Sequence, residues 1–322
     1  MPEWLIERGI GETRAALVED GEIVEARIEL DDAIPAGSVL EARLASIGVN
    51  GRNAVAVAQG GTEFLLPGGA PGITQGATFA IEVTRDVIPG AEPWKRPLAR
   101  VSAKVLQSIP PLPQRLGARE LPFPAPTDEL AGAGWNVVVE EARTGSVTFA
   151  GGELRISPTP AMTLIDVDGY LPPEELAALA AAEAAKAIRR LDIGGSIGID
   201  LPTAGSKTAR RRAAEAIDEH LPPPFERTAM NGFGFVQIVR PRLRASLVEL
   251  AQDRAAFEAR ALLRRTAFEP PGPKRLVAHP AVAALLQNRP DWLEELSRQV
   301  GGSIELRADA RLPMSGGHAE SI

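Results

Sequence analysis

Two apolar segments that carry aspartate, joined by an alanine-rich stretch, constrain the fold of this chain most. In the segment AMTLIDVD, the alternation of a strand places Asp166 and Asp168 on one face. In SIGIDL, the same alternation turns Asp200 away from its apolar neighbours. The intervening pattern predicts a helix from about residue 173 to 191, which brings two parallel strands together in one sheet. The residues predicted to face the core are Thr163, Ile165, Val167, Ile197, Ile199 and Leu201.

These three aspartates suit a hard metal ion. Mg²⁺ prefers oxygen ligands and usually binds one or two carboxylates together with water and substrate phosphate. Asp166 and Asp200 are the predicted metal ligands, and Asp168 is a third candidate catalytic carboxylate. The chain has no cysteine and only three histidines, so a thiolate zinc site is excluded. Aspartates also end strands as turn formers or helix caps, so the pattern alone leaves a structural role open.

Charge and hydropathy limit the partners. The net charge of -7 over 322 residues argues mildly against nucleic acid, because binding its backbone requires lysine and arginine. The basic residues are nevertheless clustered, at Lys95, Arg96 and Arg100, at Lys207 with Arg210, Arg211 and Arg212, at Arg240, Arg242 and Arg244, and at Arg264, Arg265, Lys274 and Arg275. A solvated helix face would explain any one cluster. No stretch approaches the roughly 20 apolar residues of a membrane span, which predicts a cytoplasmic protein without membrane contact.

The pattern along the chain predicts five regions. They are an opening β-hairpin around Asp20-Gly21 (residues 1–36), a small five-stranded barrel that fits an OB-fold (37–106), a proline-rich linker (107–133), an α/β subdomain with the metal site (134–250) and a small C-terminal α/β unit (251–322). Within the α/β subdomain, WNVVVE, SVTFAG, ELRISP and GFVQIVR are predicted strands, and a second helix is expected from about residue 206 to 219.

Three segments, FAGGELRISPTPAMTLIDVDG, PPEELAALAAAEAAKAIRRLDIGGSIGIDL and NGFGFVQIVRPRLRASL, resemble the catalytic core of the ribonuclease E/G family in order and spacing. The likeness covers about residues 148–248, and ETRAALVEDGEIVEARIE is similar to the family's opening hairpin. The resemblance implies a multidomain α/β protein. An OB-fold barrel would be inserted after a ribonuclease H-like opening hairpin, followed by a deoxyribonuclease-I-like catalytic subdomain and a small C-terminal α/β unit.

The resemblance also implies a function: Mg²⁺-dependent hydrolysis of single-stranded RNA to 5′-phosphate and 3′-hydroxyl ends, in RNA processing or decay. Asp166 and Asp200 match the family's magnesium-binding aspartates, while Asp168 stands where the family usually has an asparagine. OB-folds stack bases on aromatic side chains in a basic groove, and the aromatics at hand in the barrel region are Phe64, Phe79 and Trp94. The predicted RNA-binding residues are Phe64, Lys95, Arg96, Lys207, Arg210, Phe233, Arg240 and Arg242.

Several departures from the family pattern qualify this expectation. The stretch before the α/β subdomain is too short for the family's 5′-monophosphate sensor, so cleavage is predicted to ignore the 5′ end. The absence of cysteine excludes the family's zinc-linked assembly and leaves a homo-oligomer formed by apolar burial as an option. After Asp168, the sequence GYLPP replaces small and basic residues. Two alternatives therefore stay open: a non-catalytic RNA-binding relative, and a metal-dependent enzyme acting on another phosphate ester.

Overall fold

The computed structural model describes residues 1–89 and 95–322 as a mixed α/β protein with several sheets and a closed five-stranded barrel. Within these ranges the strands are β1 (Glu3–Arg8), β2 (Glu12–Glu19), β3 (Glu22–Leu30), β4 (Val39–Ser46), β5 (Ala54–Ala58), β6 (Glu63–Leu66), β7 (Thr78–Arg85), β8 (Leu98–Val101), β9 (Arg119–Leu121), β10 (Ser146–Phe149), β11 (Gly152–Pro158), β12 (Thr163–Gly169), β13 (Gly195–Asp200), β14 (Glu226–Arg227), β15 (Phe235–Arg240), β16 (Lys274–Ala278), β17 (Ile304–Ala308) and β18 (His318–Ser321). The helices are α1 (Leu112–Leu116), α2 (Glu129–Gly132), α3 (Trp135–Thr144), α4 (Pro173–Arg190), α5 (Lys207–His220), α6 (Leu247–Leu250), α7 (Arg254–Ala267), α8 (Pro280–Gln287) and α9 (Pro290–Val300). Over the described ranges, no helix combines the length and the apolar character that crossing a membrane requires.

The chain divides into two compact units. Unit 1 comprises Met1–Asp32, Leu112–Arg143 and Leu250–Ile322, and unit 2 comprises Ala33–Pro111 and Thr144–Glu249. The sequence-based division separates the opening hairpin from the C-terminal α/β unit. In the structure both belong to unit 1, together with most of the stretch between the barrel and α3.

Unit 2 contains the barrel and a six-stranded sheet. The barrel closes in the order β4-β5-β6-β8-β7, and its five strands lie within residues 37–106, where the sequence predicts a five-stranded barrel. The sheet has the order β10-β11-β12-β13-β15-β14. Strand β12 pairs with β13 in parallel, and the other pairs are antiparallel. The helix predicted between those two strands is α4, and the second predicted helix is α5.

Helix α4 buries a stripe of small side chains. Its buried residues are Leu176, Ala177, Ala180, Ala181, Ala184, Ala185, Ala187 and Ile188. Glutamates occupy its first turn and Arg189 and Arg190 its last, which complements the helix dipole. The alanines allow a close approach of α4 to its neighbours, and α4 packs against α5 and against β11 and β12. One face of the six-stranded sheet is thereby covered.

Unit 1 contains two sheets and the helices α7, α8 and α9. One sheet has the order β3-β2-β1-β9 and the other the order β17-β16-β18. The hairpin of β2 and β3 turns at Asp20 and Gly21, which have φ angles of 51° and 86°. Both positive angles fit the two-residue turn that Asp-Gly favours, so the predicted hairpin is confirmed.

The predicted linker over residues 107–133 needs correction. This stretch contains α1, β9 and α2, and β9 pairs with β1 in parallel. Leu112, Leu121 and Leu130 are buried. The prolines in this stretch favour the prediction of a linker. The elements that it contains have only three to five residues and are too short to show a periodic pattern.

The predicted strand at WNVVVE is wrong, because residues 135–144 form α3. A run of valines favours a strand on propensity alone. However, Trp135, Val138 and Ala142 are buried at helical spacing, whereas Val137 is exposed. The packing of these three side chains therefore overrides the local propensity of the valines.

A buried ion-pair network joins all three segments of unit 1. Its members are Glu7, Glu12, Arg14, Asp128, Arg260 and Arg264. Arg264 lies 2.9 Å from a Glu7 oxygen and 2.6 Å from an Asp128 oxygen, and Arg14 lies 2.5 Å from Glu7. All members except Asp128 are buried. Three positive charges thus face three negative ones, and their attraction offsets the free-energy cost of removing them from water. Loss of any one member leaves a buried charge without its partner.

We expect Arg264→Met to lower the free energy of unfolding by about 3 to 5 kcal/mol, because it leaves Glu7 and Asp128 without this guanidinium. Urea unfolding followed by circular dichroism measures the change. The control is Arg298→Met in α9, whose exposed arginine pairs with Glu295 on the same helix. It should change stability by no more than about 0.5 kcal/mol. Equal effects of the two substitutions would contradict a structural role for the network.

Candidate active site

Asp166 and Asp200 lie side by side in the six-stranded sheet of unit 2. They are register partners in the parallel pairing of β12 with β13, so their Cα atoms are about one strand spacing, roughly 4.8 Å, apart. Both side chains are exposed on the same face of the sheet. The residues predicted to face the core, Thr163, Ile165, Ile197, Ile199 and Leu201, are buried and Val167 is half-buried. The strand alternation predicted from sequence is therefore confirmed.

The acidic pair lies next to an apolar surface. A Cβ atom added to Gly198 would lie 2.6 Å from Cζ of Phe235 and 3.1 Å from Cδ2 of Leu164. Phe235 is the register partner of Asp200, and Leu164 is that of Gly198. The ring of Phe235 and the side chain of Leu164 thus cover Gly198 on the face that carries the carboxylates. This position has no room for a side chain.

Arg155 of β11 is a site residue that the sequence analysis missed. It is the register partner of Asp166, and its side chain is 62% exposed. Its Nε lies 3.6 Å from Oδ2 of Asp168 and its Nη2 lies 3.7 Å from Glu153. The sequence does contain a signal for this pairing, because β11 and β12 are consecutive strands of a hairpin. Pro158 pairs with Thr163 next to the turn, so three residues further from the turn Arg155 pairs with Asp166.

Asp168 therefore differs from the other two aspartates. Arg155 partly neutralises Asp168, whereas among the described residues neither Asp166 nor Asp200 has an ion-pair or hydrogen-bond partner. Two carboxylates without a partner on adjacent strands can share a cation that arrives from solvent. The pair formed by Asp166 and Asp200 is accordingly the best candidate metal site, and Asp168 contributes less negative charge to it.

The carboxyl end of β13 leads into the amino terminus of α5. Ser206 caps this helix by accepting a hydrogen bond from the amide of Ala209 at 3.0 Å. Arg210 donates to the carbonyls of Ala204 at 2.8 Å and Gly205 at 3.1 Å, and Lys207 is exposed. A helix amino terminus carries partial positive charge and attracts phosphate. The structure therefore places two of the predicted RNA-binding residues, Lys207 and Arg210, in the segment that directly follows Asp200.

Phe233 lies at the same edge of the sheet. It precedes Phe235, the register partner of Asp200, and its side chain is 85% exposed. Thr203 lies in the segment after β13, and its hydroxyl group donates a hydrogen bond to the carbonyl oxygen of Phe233 at 3.4 Å. A third predicted RNA-binding residue is thus near the acidic pair.

The prediction that Phe64 binds RNA needs correction. Phe64 is fully buried and packs in the core of the barrel with Leu44, Leu66 and Ile81. Strand β6 alternates between exposed and buried positions, and Phe64 occupies a buried one. Its ring cannot stack on a base without unfolding the barrel.

Arg240 and Arg242, which are predicted to bind RNA, lie away from the acidic pair. Arg240 is the register partner of Gly195, five residues or about 16 Å along β13 from Asp200. It donates to the carbonyl of Ile193 at 3.2 Å. Arg242 forms an ion pair with Glu249, which is buried.

Hydrogen bonds and ion pairs fix the segment that contains these arginines. Ser246 donates to the carboxylate of Glu249 at 2.8 Å, and Arg244 pairs with Asp192 at 2.5 Å. Burial lowers the pKa of the nearby Arg85 guanidinium, as does the positive charge of Arg242. This basic motif thus stabilises the fold of unit 2 around the Gly194-Gly195 turn.

Lys95 and Arg96 lie at the start of the segment that leads into β8. Arg96 pairs with Glu63 of β6 at 2.6 Å, and both side chains are partly exposed. The Nζ atom of Lys95 lies 3.5 Å from the carbonyl of Pro160, in the turn between β11 and β12. Lys95 is thus next to the start of β12, whereas Trp94 lies outside the described residues.

The donor set at the acidic pair fits magnesium and not zinc. Over residues 1–89 and 95–322, no cluster of three or more histidine, aspartate or glutamate side chains is arranged to hold a metal ion. Two carboxylates are enough for Mg²⁺ when water and substrate phosphate supply the remaining ligands. Any magnesium site here is therefore one that the substrate helps to complete.

No protein-family model matches the chain, and no curated protein matches it. The function must therefore be inferred from the geometry of its own residues and from the motifs that resemble ribonuclease E/G.

We expect Gly198→Ala to lower the free energy of unfolding by about 1 to 3 kcal/mol, because the new methyl group would overlap Phe235. Urea unfolding measures the loss. The matched control is Gly232→Ala, since an added Cβ there meets no atom within 4 Å. If both variants are as stable as the wild type, Phe235 does not cover Gly198.

Proposed function

We propose that this chain is a magnesium-dependent endoribonuclease of the ribonuclease E/G type. It hydrolyses single-stranded RNA and leaves 5′-phosphate and 3′-hydroxyl ends. The observation that carries the proposal is the exposed, in-register pair formed by Asp166 and Asp200. This pair has the positions that the resemblance implies for the metal-binding aspartates.

The chemistry follows from charge and position. Asp166 and Asp200 would hold Mg²⁺, which would polarise a phosphoryl oxygen and lower the pKa of a bound water. Water adds to phosphorus and the bond to the 3′ oxygen breaks, so the phosphate stays on the 5′ side of the downstream fragment. The departing 3′ oxygen takes up a proton and becomes a hydroxyl group.

Side chains around the pair account for substrate positioning. Lys207 and the amino terminus of α5 follow Asp200 and offer positive charge to the RNA backbone. Arg155 lies on the other side of Asp166 and reduces the repulsion between Asp168 and a substrate phosphate. These groups favour binding of a polyanion although the chain as a whole is acidic.

The closed barrel supports the finer description of the fold. Five short strands with a buried apolar interior fit an OB-fold, a barrel type that often binds single-stranded nucleic acid. The discontinuous unit 1 agrees with a ribonuclease H-like subdomain into which the barrel is inserted. We assign the six-stranded sheet with α4 and α5 to the deoxyribonuclease-I-like catalytic subdomain on the same grounds.

A second candidate function is RNA binding without turnover. It is favoured by the sequence Gly169-Tyr170-Leu171-Pro172-Pro173, which stands where the family has small and basic residues. A catalytic site that depends on positioning loses rate when a neighbouring loop changes. The two candidates differ in whether bound RNA is cut.

The decisive experiment follows cleavage of a 5′-labelled single-stranded RNA with Mg²⁺. We expect Asp166→Asn and Asp200→Asn each to reduce the cleavage rate by about 100-fold or more, because each removes a metal-binding charge worth several kcal/mol in the transition state. EDTA should abolish cleavage. Asp168→Asn should retain it, because Arg155 already offsets the charge of Asp168.

The matched control is Asp20→Asn, in the turn between β2 and β3. Asparagine tolerates the positive φ of this position, so fold and cleavage should be unchanged. If the wild type binds the RNA and leaves it intact, the non-catalytic alternative is correct. If RNA neither binds nor competes while another phosphate ester is hydrolysed, the protein is a different metal-dependent enzyme.

Cleavage should be indifferent to the 5′ end of the RNA. The segment between the barrel and the six-stranded sheet is occupied by α1, β9, α2 and α3, and we propose that it holds no 5′-phosphate sensor. Rates are compared on 5′-monophosphorylated and 5′-triphosphorylated copies of one RNA, and equal rates are expected. A clear preference for the monophosphate would show that a sensor exists.

A further inference from the structure

Two exposed aromatic side chains lie at the edge of the sheet where the acidic pair is found. Tyr170 is 83% exposed and Phe233 is 85% exposed. All other aromatic side chains within residues 1–89 and 95–322 are buried or half-buried. Single exposed apolar residues are ordinary. Here, however, both exposed aromatics belong to one site.

The backbone around Phe233 is fixed by hydrogen bonds. The Oδ1 atom of Asn231 accepts from the amides of Phe233 at 2.9 Å and Phe235 at 3.0 Å. Gly234 has a φ of 98°, and a Cβ there would lie 2.0 Å from the carbonyl oxygen of Leu201. The turn is therefore packed closely against the end of β13, and it presents the ring of Phe233 to solvent from a defined backbone.

Tyr170 is anchored in a similar way. Its amide donates to the carbonyl of Gly151 at 3.2 Å. A Cβ on Gly151 would lie 2.4 Å from Leu171, so Leu171 covers this glycine. Pro172 and Pro173 follow and start α4. The backbone on both sides of Tyr170 is thus held while its ring extends into solvent.

Both aromatic positions lie beyond the acidic pair, past the carboxyl end of β13, with Tyr170 on the side of β12 and Phe233 on the side of β15. Tyr170 directly follows β12, which carries Asp166, and Phe233 precedes β15, whose first residue pairs with Asp200. Strand β13 lies between β12 and β15, so the two positions are about two strand spacings, roughly 10 Å, apart across the sheet, and Tyr170 lies four residues, about 13 Å, beyond Asp166 along β12. An RNA strand that extends from the carboxylates past the carboxyl end of β13 would meet both rings.

The barrel offers no comparable surface among its described residues. Phe64 is fully buried, and Phe79 is half-buried and packs against the barrel core. Base stacking on an aromatic ring requires an open ring face. Exposed rings are thus found beside the acidic pair and not on the described part of the barrel.

We infer that Tyr170 and Phe233 are base-stacking platforms that hold unpaired bases close to the phosphate to be cleaved. This inference rests on the proposed function and adds the origin of its single-strand selectivity. Stacking on a protein ring requires a base whose face is free, so paired bases inside a duplex do not qualify. Because every base has such a face, selectivity for sequence should be weak.

The test is fluorescence anisotropy with a labelled single-stranded RNA in EDTA, where no cleavage occurs, and with the same sequence as a duplex. Tyr170→Ala and Phe233→Ala should each weaken binding of the single strand by about 5-fold to 150-fold, which corresponds to stacking of about 1 to 3 kcal/mol per base. Tyr170→Phe and Phe233→Tyr should bind as the wild type does, because each keeps an aromatic ring. Duplex binding should not change.

The control is Val137→Ala, an apolar side chain on α3 that is 60% exposed. It should leave RNA binding unchanged. The inference is overturned if the alanine variants bind the single strand as tightly as the wild type, or if the aromatic exchanges weaken binding as much as alanine does. Wild-type binding with these losses but without cleavage in Mg²⁺ would overturn the proposed catalysis and keep the platforms. Failure of the wild type to bind single-stranded RNA overturns both.

Discussion

The parallel pairing of β12 with β13 is the constraint on which the candidate site depends. A parallel pair requires a crossover, and α4 supplies it with a face of alanines that packs closely on the sheet. The pairing sets Asp166 opposite Asp200, while β11 and β15 add Arg155 and Phe235 on either side. If one of the two strands shifted by one residue, its aspartate would turn into the core while the other aspartate stayed exposed. The chemistry of the face is therefore specified by sheet geometry.

Features that depend on local periodicity could be predicted from the sequence. The barrel strands, α4, α5 and the faces of Asp166 and Asp200 all follow from alternation or helical spacing. Elements that depend on distant packing could not. Strand β9 has three residues and exists because β1 pairs with it, and α3 is a helix because Trp135 and Val138 are buried on one side.

The candidate site shows the same division. The positions of the aspartates were predictable, but a basic or aromatic residue in the sequence does not reveal whether its side chain is accessible. Phe64 fills the barrel core and cannot stack on a base, and Arg242 forms an ion pair with buried Glu249. Arg155 escaped notice because its role follows from cross-strand pairing with Asp166, eleven positions along the chain. Burial and pairing across strands are properties of the tertiary structure.

The discontinuity of unit 1 has a consequence for how the protein is made. Translation supplies the last residue of unit 2, Glu249, before any of the C-terminal segment that unit 1 needs. Unit 2 can thus assemble while β1, β2 and β3 still await α7, which brings Arg260 and Arg264. In that interval Arg14 already lies within reach of Glu7 and Glu12 on its own hairpin. This local pairing limits the unpaired charge on a nascent sheet whose partners on α7 leave the ribosome only after unit 2.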